Sequence, residues 1–324
     1  MHGVNLGNWL IVEKWMCEEL FAETGVYDEY GLSQTTIGKE RIKRHRDTYI
    51  TEADFMWMAK NNIELLRIPV GYWLFEEDES YVGGVHYLDW AMEMAQKYNL
   101  KVLIDLHGAP GSQNGLDHGG KIGDAGWYKD KSAQANTITI LNQIATRYHD
   151  NTAFWGLEIL NEPKFGWDEY WILRRFYKRA YKSLKRTLRP GIYTVFSDAY
   201  RPLLFTGMLY GGKKFPVAMD IHWYAFAVNW RRLKTIERYF KKISRRKTML
   251  KFIQLFHPAI VGEWNASLPE ETLKGKSQAE RDTVIREHYN IQKNVYAEAK
   301  AEFYWNYLSS RPSVWNYRDK ISKF

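Results

Sequence analysis

Cysteine is nearly absent from this chain: Cys17 is the one cysteine in 324 residues. No internal disulfide can form, and a metal centre built on several thiolates is excluded. Long apolar runs are missing too. Nothing approaches the roughly 20 residues that a membrane-spanning helix needs, so a soluble protein with no membrane partner is expected. Met1 leads into "HGVNLGNWLI" without a basic-then-apolar leader. No export signal is visible, which leaves cytoplasmic residence and secretion with a removed leader both open. Repeats, low-complexity tracts and Pro/Ser-rich linkers are lacking, so residues 1–324 are expected to form a single domain. The nine histidines show no paired metal-ligand spacing, and phosphate-loop, dinucleotide and serine-hydrolase fingerprints have no usable context. Neither a metal nor an organic cofactor is expected.

What is present is charge of one sign and many aromatic rings. The formal net charge is +8, and much of the excess lies in "RRFYKRAYKSLKRTLR" and "RRLKTIERYFKKISRRK". In the first, Leu173, Phe176, Tyr177, Ala180, Tyr181, Leu184 and Leu188 recur at helical spacing, while Arg174, Arg175, Lys178, Lys182, Lys185 and Arg186 take the other face. A solvated helix face accounts for this pattern, so no nucleic-acid partner is expected. Fourteen Trp and 22 Tyr exceed what a core needs. Rigid amphipathic rings also make platforms for sugar faces.

Short β-branched runs recur at 3–7, 65–70, 101–106, 156–160, 192–198, 218–224, 259–264 and 302–307. Helical patterns lie between them at about 52–60, opened by Thr51 with Asp54 in capping-box spacing, and at 86–98, 134–149, 169–188, 230–246 and 277–299. The segment 199–217 is a poor helix. Strand then helix, eight times over, predicts an α/β fold of the closed (β/α)8 TIM-barrel type, with a site at the carboxyl ends of the strands. Polar residues collect there: Arg67, His107, Asn161 and Glu162, His222 and Tyr224, Glu263, and Trp305. Any one of them alone is compatible with a satisfied core polar group. Six strands ending this way favour one pocket.

Glu162 and Glu263 matter most. Two carboxyl groups at one barrel mouth suit glycosidic cleavage, which needs a proton donor for the leaving oxygen and a carboxylate facing the developing positive charge. Arg67 and a hydrogen bond from Tyr224 are expected to keep one carboxylate, Glu263, ionised, leaving the less compensated Glu162 protonated as the acid.

The ordered set "GVNLGNWLIVEKWM", "LRIPVGYW", "DLHGAPGSQNG", "LEILNEP", "DIHWYAF" and "VGEW" resembles the successive motifs of family 5 glycoside hydrolases, above all their exo-acting β-1,3-glucanases, from Gly3 to about Arg318. The resemblance implies a retaining enzyme without a cofactor. It implies Glu162 as acid/base and Glu263 as nucleophile, Arg67 in support of the nucleophile, Asn161 at the sugar 2-hydroxyl, and His222 with Tyr224 at the catalytic carboxylates. Trp305 becomes the floor under the reacting sugar, Glu13 and His107 bind its hydroxyls, and Asp117 or His118 sits near the rim. The implied partner is a β-glucan or its oligosaccharides, acted on by a monomer.

The chain also departs from that pattern. Leu116 follows "QNG" where the subgroup commonly carries an aromatic residue that clamps the sugar beyond the cleavage point. Trp127 is the candidate replacement. Exo against endo action is then decided by loops near Leu116, Trp127 and 225–235. Other readings are hydrolysis of β-1,6-glucan, of a β-glucoside with a small or lipid aglycone, or of cellulose or mannan; a glucan-binding protein without catalysis; and, on charge alone, a nucleic-acid binder.

Overall fold

Runs this short and this continuously apolar suit parallel strands covered on both faces. The computed structural model describes residues 1–75, 80–225, 235–310 and 313–324. All eight runs are strands: β1 His2–Asn5, β2 Leu65–Gly71, β3 Lys101–Gly108, β4 Phe154–Glu158, β5 Tyr193–Ser197, β6 Val217–His222, β7 Ala259–Trp264 and β8 Ala301–Tyr304. Each pairs in parallel with its neighbour in chain order, and β8 pairs with β1 to close the ring. The fold is a TIM barrel.

Helices Glu52–Lys60, Val85–Lys97, Lys131–Arg147, Trp167–Leu184, Ile236–Ile253 and Gln278–Tyr296 follow the strands. Asp54 Oδ2 accepts from Thr51 N at 2.8 Å, as the capping-box spacing requires. The basic helix Trp167–Leu184 buries the apolar stripe and leaves Arg175, Lys178 and Lys182 exposed. Among the described residues no helix is long and apolar enough to cross a membrane. Two helical readings change. The pattern expected at 230–246 becomes Ile236–Ile253, and 226–234, where it was to start, lies outside the described residues. The helix Thr36–Tyr49 has no forerunner in the pattern, because it carries almost no apolar stripe and buries Ile42, His45 and Arg46 instead. Of 199–217, only Pro202–Phe205 is helical before β6.

Alternation along the strands explains what fills the barrel. Leu65, Leu103, Val195, Ala218, Ile260, Ala301 and Phe303 pack as one apolar cluster inside it. Side chains two residues further along a strand share its face. That step turns Leu65 into Arg67, Leu103 into Asp105 and Ala218 into Asp220, all wholly buried. On β7 the same step from Ile260 reaches Gly262, where an added Cβ would stand 2.0 Å from an Asp220 carboxylate oxygen. The interior therefore changes from hydrocarbon to charge in one step, directly beneath the barrel mouth.

The long β1–β2 connection is fixed over that mouth by a buried ion pair. Arg46 Nη2 reaches Glu29 Oε1 at 2.8 Å, and its other nitrogen donates to the carbonyls of Val82 and Gly83, both at 2.8 Å. Glu29 also accepts from Val12 N at 2.9 Å and Trp73 Nε1 at 3.1 Å. Removing one member leaves the other as an uncompensated buried charge, at about 3–5 kcal/mol. Arg46→Met is expected to lower Tm by about 5 °C in differential scanning calorimetry; an unchanged Tm would show that the pair contributes nothing net.

Candidate active site

The residues at the strand ends meet in a cavity of about 370 Å³ lined by Glu13, Trp15, His107, Leu116, His118, Glu162, Tyr200, Tyr224, Glu263, Trp305 and Trp315. Arg67 lies beneath, wholly buried, at the centre of its polar contacts. Its Nε donates to Glu158 Oε2 at 2.9 Å, Nη1 to Asn5 Oδ1 at 3.1 Å and Glu263 Oε1 at 3.0 Å, and Nη2 to Asn161 Oδ1 at 2.8 Å. Asp105 Oδ2 stands 3.0 Å from Nη2. Four hydrogen bonds and the close Asp105 carboxylate thus surround a guanidinium whose full capacity is five.

Asn161 is oriented by its neighbours: its oxygen takes Arg67, so its Nδ2 points at His107 Nε2, 3.2 Å away. His107 Nδ1 in turn faces Asp105 Oδ2 at 2.6 Å. Burial first, then the nearby His118 and Arg67 charges, hold His107 well below the ordinary histidine range. It is therefore neutral, with its proton on Nδ1 and a lone pair toward Asn161. The Gly-rich loop after β3 has a mechanical use here. Gln113 donates to the carbonyls of His107 at 2.6 Å and Asn161 at 3.0 Å, and Asn114 Nδ2 donates to the Glu162 carbonyl at 3.2 Å. These bonds tie the β3 loop to the turn carrying Glu162, whose φ of +38° is an unusual, strained value for a residue with a side chain.

One imidazole links the two central carboxylates. His222 Nδ1 is 2.6 Å from Glu162 Oε1 and 3.5 Å from Glu263 Oε2, and its Nε2 is 3.2 Å from Asp220 Oδ2. Carboxylate oxygens of Glu162 and Glu263 and a nitrogen of His222 all lie within 4.8 Å of one another. Tyr224 donates to Glu263 Oε2 at 2.7 Å. The carboxylates are thus about as close as double displacement with retention requires, and closer than the gap that leaves room for an inverting water.

The family model for Cellulase (glycosyl hydrolase family 5) matches residues 31–306. This chain belongs to glycosyl hydrolase family 5. It is 34% identical over 298 residues to a probable glucan 1,3-beta-glucosidase A of Aspergillus niger, covering 87% of this chain and 69% of that protein. It is 32% identical over 294 residues to a glucan 1,3-beta-glucosidase of Kluyveromyces lactis, covering 84% and 68%. Among solved structures, the rutinosidase from Aspergillus niger superposes with a TM-score of 0.82 at 20% identity over 99% of this chain and 93% of that one. The endoglucanase from Thermotoga maritima does so with a TM-score of 0.58 at 16% identity over 100% and 93%. At these identities the structures attest the fold alone.

In this family 5 barrel the expected electrostatics of the carboxyl pair are reversed. Burial raises Glu162, but the hydrogen bond and charge of His222 outweigh it and carry the group below the usual range. Burial, reinforced by the Glu162 charge, holds Glu263 above its ordinary value despite His222, Arg67 and Tyr224. The reason is His222. Burial acts against its charge, yet Glu263 and Asp220 keep it protonated well above the ordinary histidine value, and its short bond goes to Glu162. Two donor sets, Glu162–His222–Glu263 and Glu158–Asp220–His222, are close enough to share a cation. A protonated His222 offers both sets a proton in place of a lone pair.

The other expected residues divide. Trp305 lies under the cavity, 3% exposed, stacked on His107 at 5.8 Å and 13°. Glu13 accepts from Trp15 Nε1 at 2.8 Å, and burial followed by the Asp117 charge pushes it up to about 8, so its carboxyl is protonated at neutral pH. His118 Nε2 stands 3.4 Å from Glu162 Oε2. Asp117 is not among the lining residues and bears on the site through Glu13. Trp127 cannot replace the missing clamp: it is 0% exposed and spends its Nε1–H on Thr137 at 3.0 Å. Leu116 is 51% exposed at the cavity. The loop at 225–235 falls mostly outside the described residues. Sequence reasoning missed Asp105, Glu158 and Asp220, which two-residue alternation back from the mouth would have found. It also missed Trp15, Tyr200 and Trp315, which no spacing marks.

Tyr224→Phe removes a donor that favours ionised Glu263, so that carboxyl should rise further. The acidic limb of kcat, which reports Glu263 in the substrate complex, is expected to move up by about one pH unit. A limb that stays in place would show that this bond is not made in the working enzyme.

Proposed function

We propose that this chain is a retaining β-glucosidase, a single catalytic barrel domain that releases glucose from the ends of β-1,3-glucan, with Glu263 as nucleophile and Glu162 as acid/base. The observation that carries the reading is the carboxylate pair bridged by His222 at 2.6 and 3.5 Å. The names of the curated relatives support the β-1,3 linkage. The cavity of about 370 Å³ lies at the small end for ligand pockets, which suits a chain end more than a chain laid through a long groove.

Glu263 attacks the anomeric carbon while Glu162 protonates the departing oxygen, giving a glycosyl ester on Glu263. Reaching that state from the unliganded protein moves one proton from Glu263 to Glu162, and His222 Nδ1 lies within reach of both. Positive charge developing at the sugar then favours ionised Glu263, with Arg67 and Tyr224 holding the oxygens it does not use. Neutral Glu13 and the second N–H of the Asn161 amide, which His107 orients, offer hydrogen bonds to sugar hydroxyls, and Trp305 supplies the apolar face beneath the ring.

The test is chromatography of products from β-1,3-gluco-oligosaccharides beside β-1,6- and β-1,4-linked controls, with the first-formed anomer read by NMR. Glucose in the β configuration is expected from the β-1,3 series. Glu162→Gln should lose about 10²–10⁴-fold in kcat on these unactivated substrates, and Glu263→Gln at least as much. Mixed oligomers mean endo action, release from another series moves the linkage, and α-glucose or a fully active Glu263→Gln removes the mechanism.

A further inference from the structure

The cavity of about 370 Å³ takes a chain end, so the rest of a polymeric substrate has to leave it across the rim. Glu162, the proposed proton donor to the departing oxygen, marks the side on which it leaves. Five residues beyond Glu162, the loop after β4 delivers an aromatic cluster to the surface. Trp167 is 66% exposed and Trp171 55%, one turn apart at the start of the helix Trp167–Leu184. Half-buried Phe165 precedes them and meets Trp167 at 5.9 Å. Buried Tyr170 lies behind, 6.4 Å from Phe165, 6.1 Å from Trp167 and 5.1 Å from Trp171. Its phenol donates to the Leu204 carbonyl at 3.2 Å, which fastens the cluster to the short helix Pro202–Phe205 after β5.

Leaving two tryptophans this open gains the fold nothing, because apolar surface stabilises it only when buried. The inward face of the helix is already supplied by Tyr170, Leu173, Phe176 and Tyr177. The rings are nonetheless held. The Arg174 guanidinium lies 5.4 Å from the Tyr170 ring and 5.7 Å from that of Trp171, and its Nη1 donates to the Tyr170 hydroxyl at 2.6 Å. Arg201 lies 5.0 Å over Phe165. A platform fixed beforehand loses little freedom when a ligand settles on it. Arg201 also joins the platform to the cavity: its Nη1 donates at 3.1 Å to the carbonyl of Tyr200, which lines the cavity with Glu162.

We propose that Trp167 and Trp171, with Phe165, form a second binding surface for β-glucan, outside the cavity, which carries the part of the chain on the leaving-group side of Glu162. This rests on the function proposed above and deepens it: the substrate for which the protein is built is a polymer, of which a disaccharide reaches the cavity alone. A β-linked glucose ring bears hydroxyls around its edge and C–H groups on its faces, so it lies against an aromatic ring. The surface suits an uncharged chain, since Arg174 and Arg201 are laid on the rings.

The experiment compares wild type with the double variant Trp167→Ala, Trp171→Ala on a soluble β-1,3-glucan and on a β-1,3-linked glucose disaccharide, with circular dichroism to check folding. KM for the polymer is expected to rise about tenfold with kcat little changed, the mark of binding lost equally from ground and transition states. Kinetics on the disaccharide should stay as in wild type, and Trp167→Tyr, Trp171→Tyr, which keeps a ring at each position, should recover most of the polymer KM. Unchanged kinetics on the polymer, or an equal loss on both substrates, would overturn the proposal. Native gel electrophoresis in the same polymer reads binding without turnover: wild type should be retarded and the alanine variant much less so. Wild type that cleaves neither substrate would remove the underlying function, while the gel still decides for or against the surface. Equal migration of the two proteins, together with a wild-type dimer in sedimentation that the variant loses, would assign the rings to a second copy of this chain and overturn the proposal.

Discussion

One guanidinium holds the top of this barrel together. Arg67 meets side chains from β1, β3, β4, β6 and β7. A buried cation in such a place is tolerable only if it is closely paired and hydrogen-bonded, and here four hydrogen bonds and four carboxyl groups surround it. The same satisfaction ties strand ends far apart in the chain into one rigid rim. Asn161 and Glu263 do not merely lie near Arg67; their oxygens are parts of its coordination.

The consequence is a surplus of acid. Asp105, Glu158, Asp220 and Glu263 all stand within 4 Å of Arg67, and two cations, Arg67 and His222, cannot keep four buried carboxyl groups ionised beside Glu162. Some must carry protons. Burial pushes Asp105 up to about 7 and Glu158 well above its ordinary value, whereas His222 and Arg67 overcome burial at Asp220 and keep it ionised. Protons are thus present within the rim before any substrate arrives, and His222 sits where they can be redistributed. In the proposed reaction the acid and base roles of the carboxyl pair are assigned by the bound sugar as much as by the fold.

Much of this was legible in the chain. The eight strand runs, their helices, and the polar residues at the mouth follow from short apolar periods and from side chains that make no sense in a core unless they converge. What escaped has physical causes. The helix Thr36–Tyr49 is buried through a charged residue, Arg46, which no apolar count detects. The carboxyls below the mouth looked like interruptions in apolar runs, because their partners lie on other strands. The reversed ionisation of Glu162 and Glu263 depends on which carboxylate His222 touches more closely, a matter of an ångström. Trp127 follows a promising loop, yet its ring turns inward to pack edge-on against Phe176 at 4.6 Å, an outcome set by the helix beneath it.

Gly262 carries a consequence for how such a chain can vary over generations. It sits next to the proposed nucleophile on β7, yet its neighbour across the sheet dictates its identity: the Asp220 oxygens occupy the space a methyl group would need. The peptide N–H exposed by that vacancy donates to Asp220 Oδ1 at 2.6 Å. Positions 220 and 262 therefore form one inherited unit. A lineage that acquired alanine at 262 would have to shorten or displace Asp220 as well, and with it would go the anchor that turns His222 toward the two carboxylates. Drift at position 262 is closed off by the geometry of Asp220 on the neighbouring strand, 42 residues earlier.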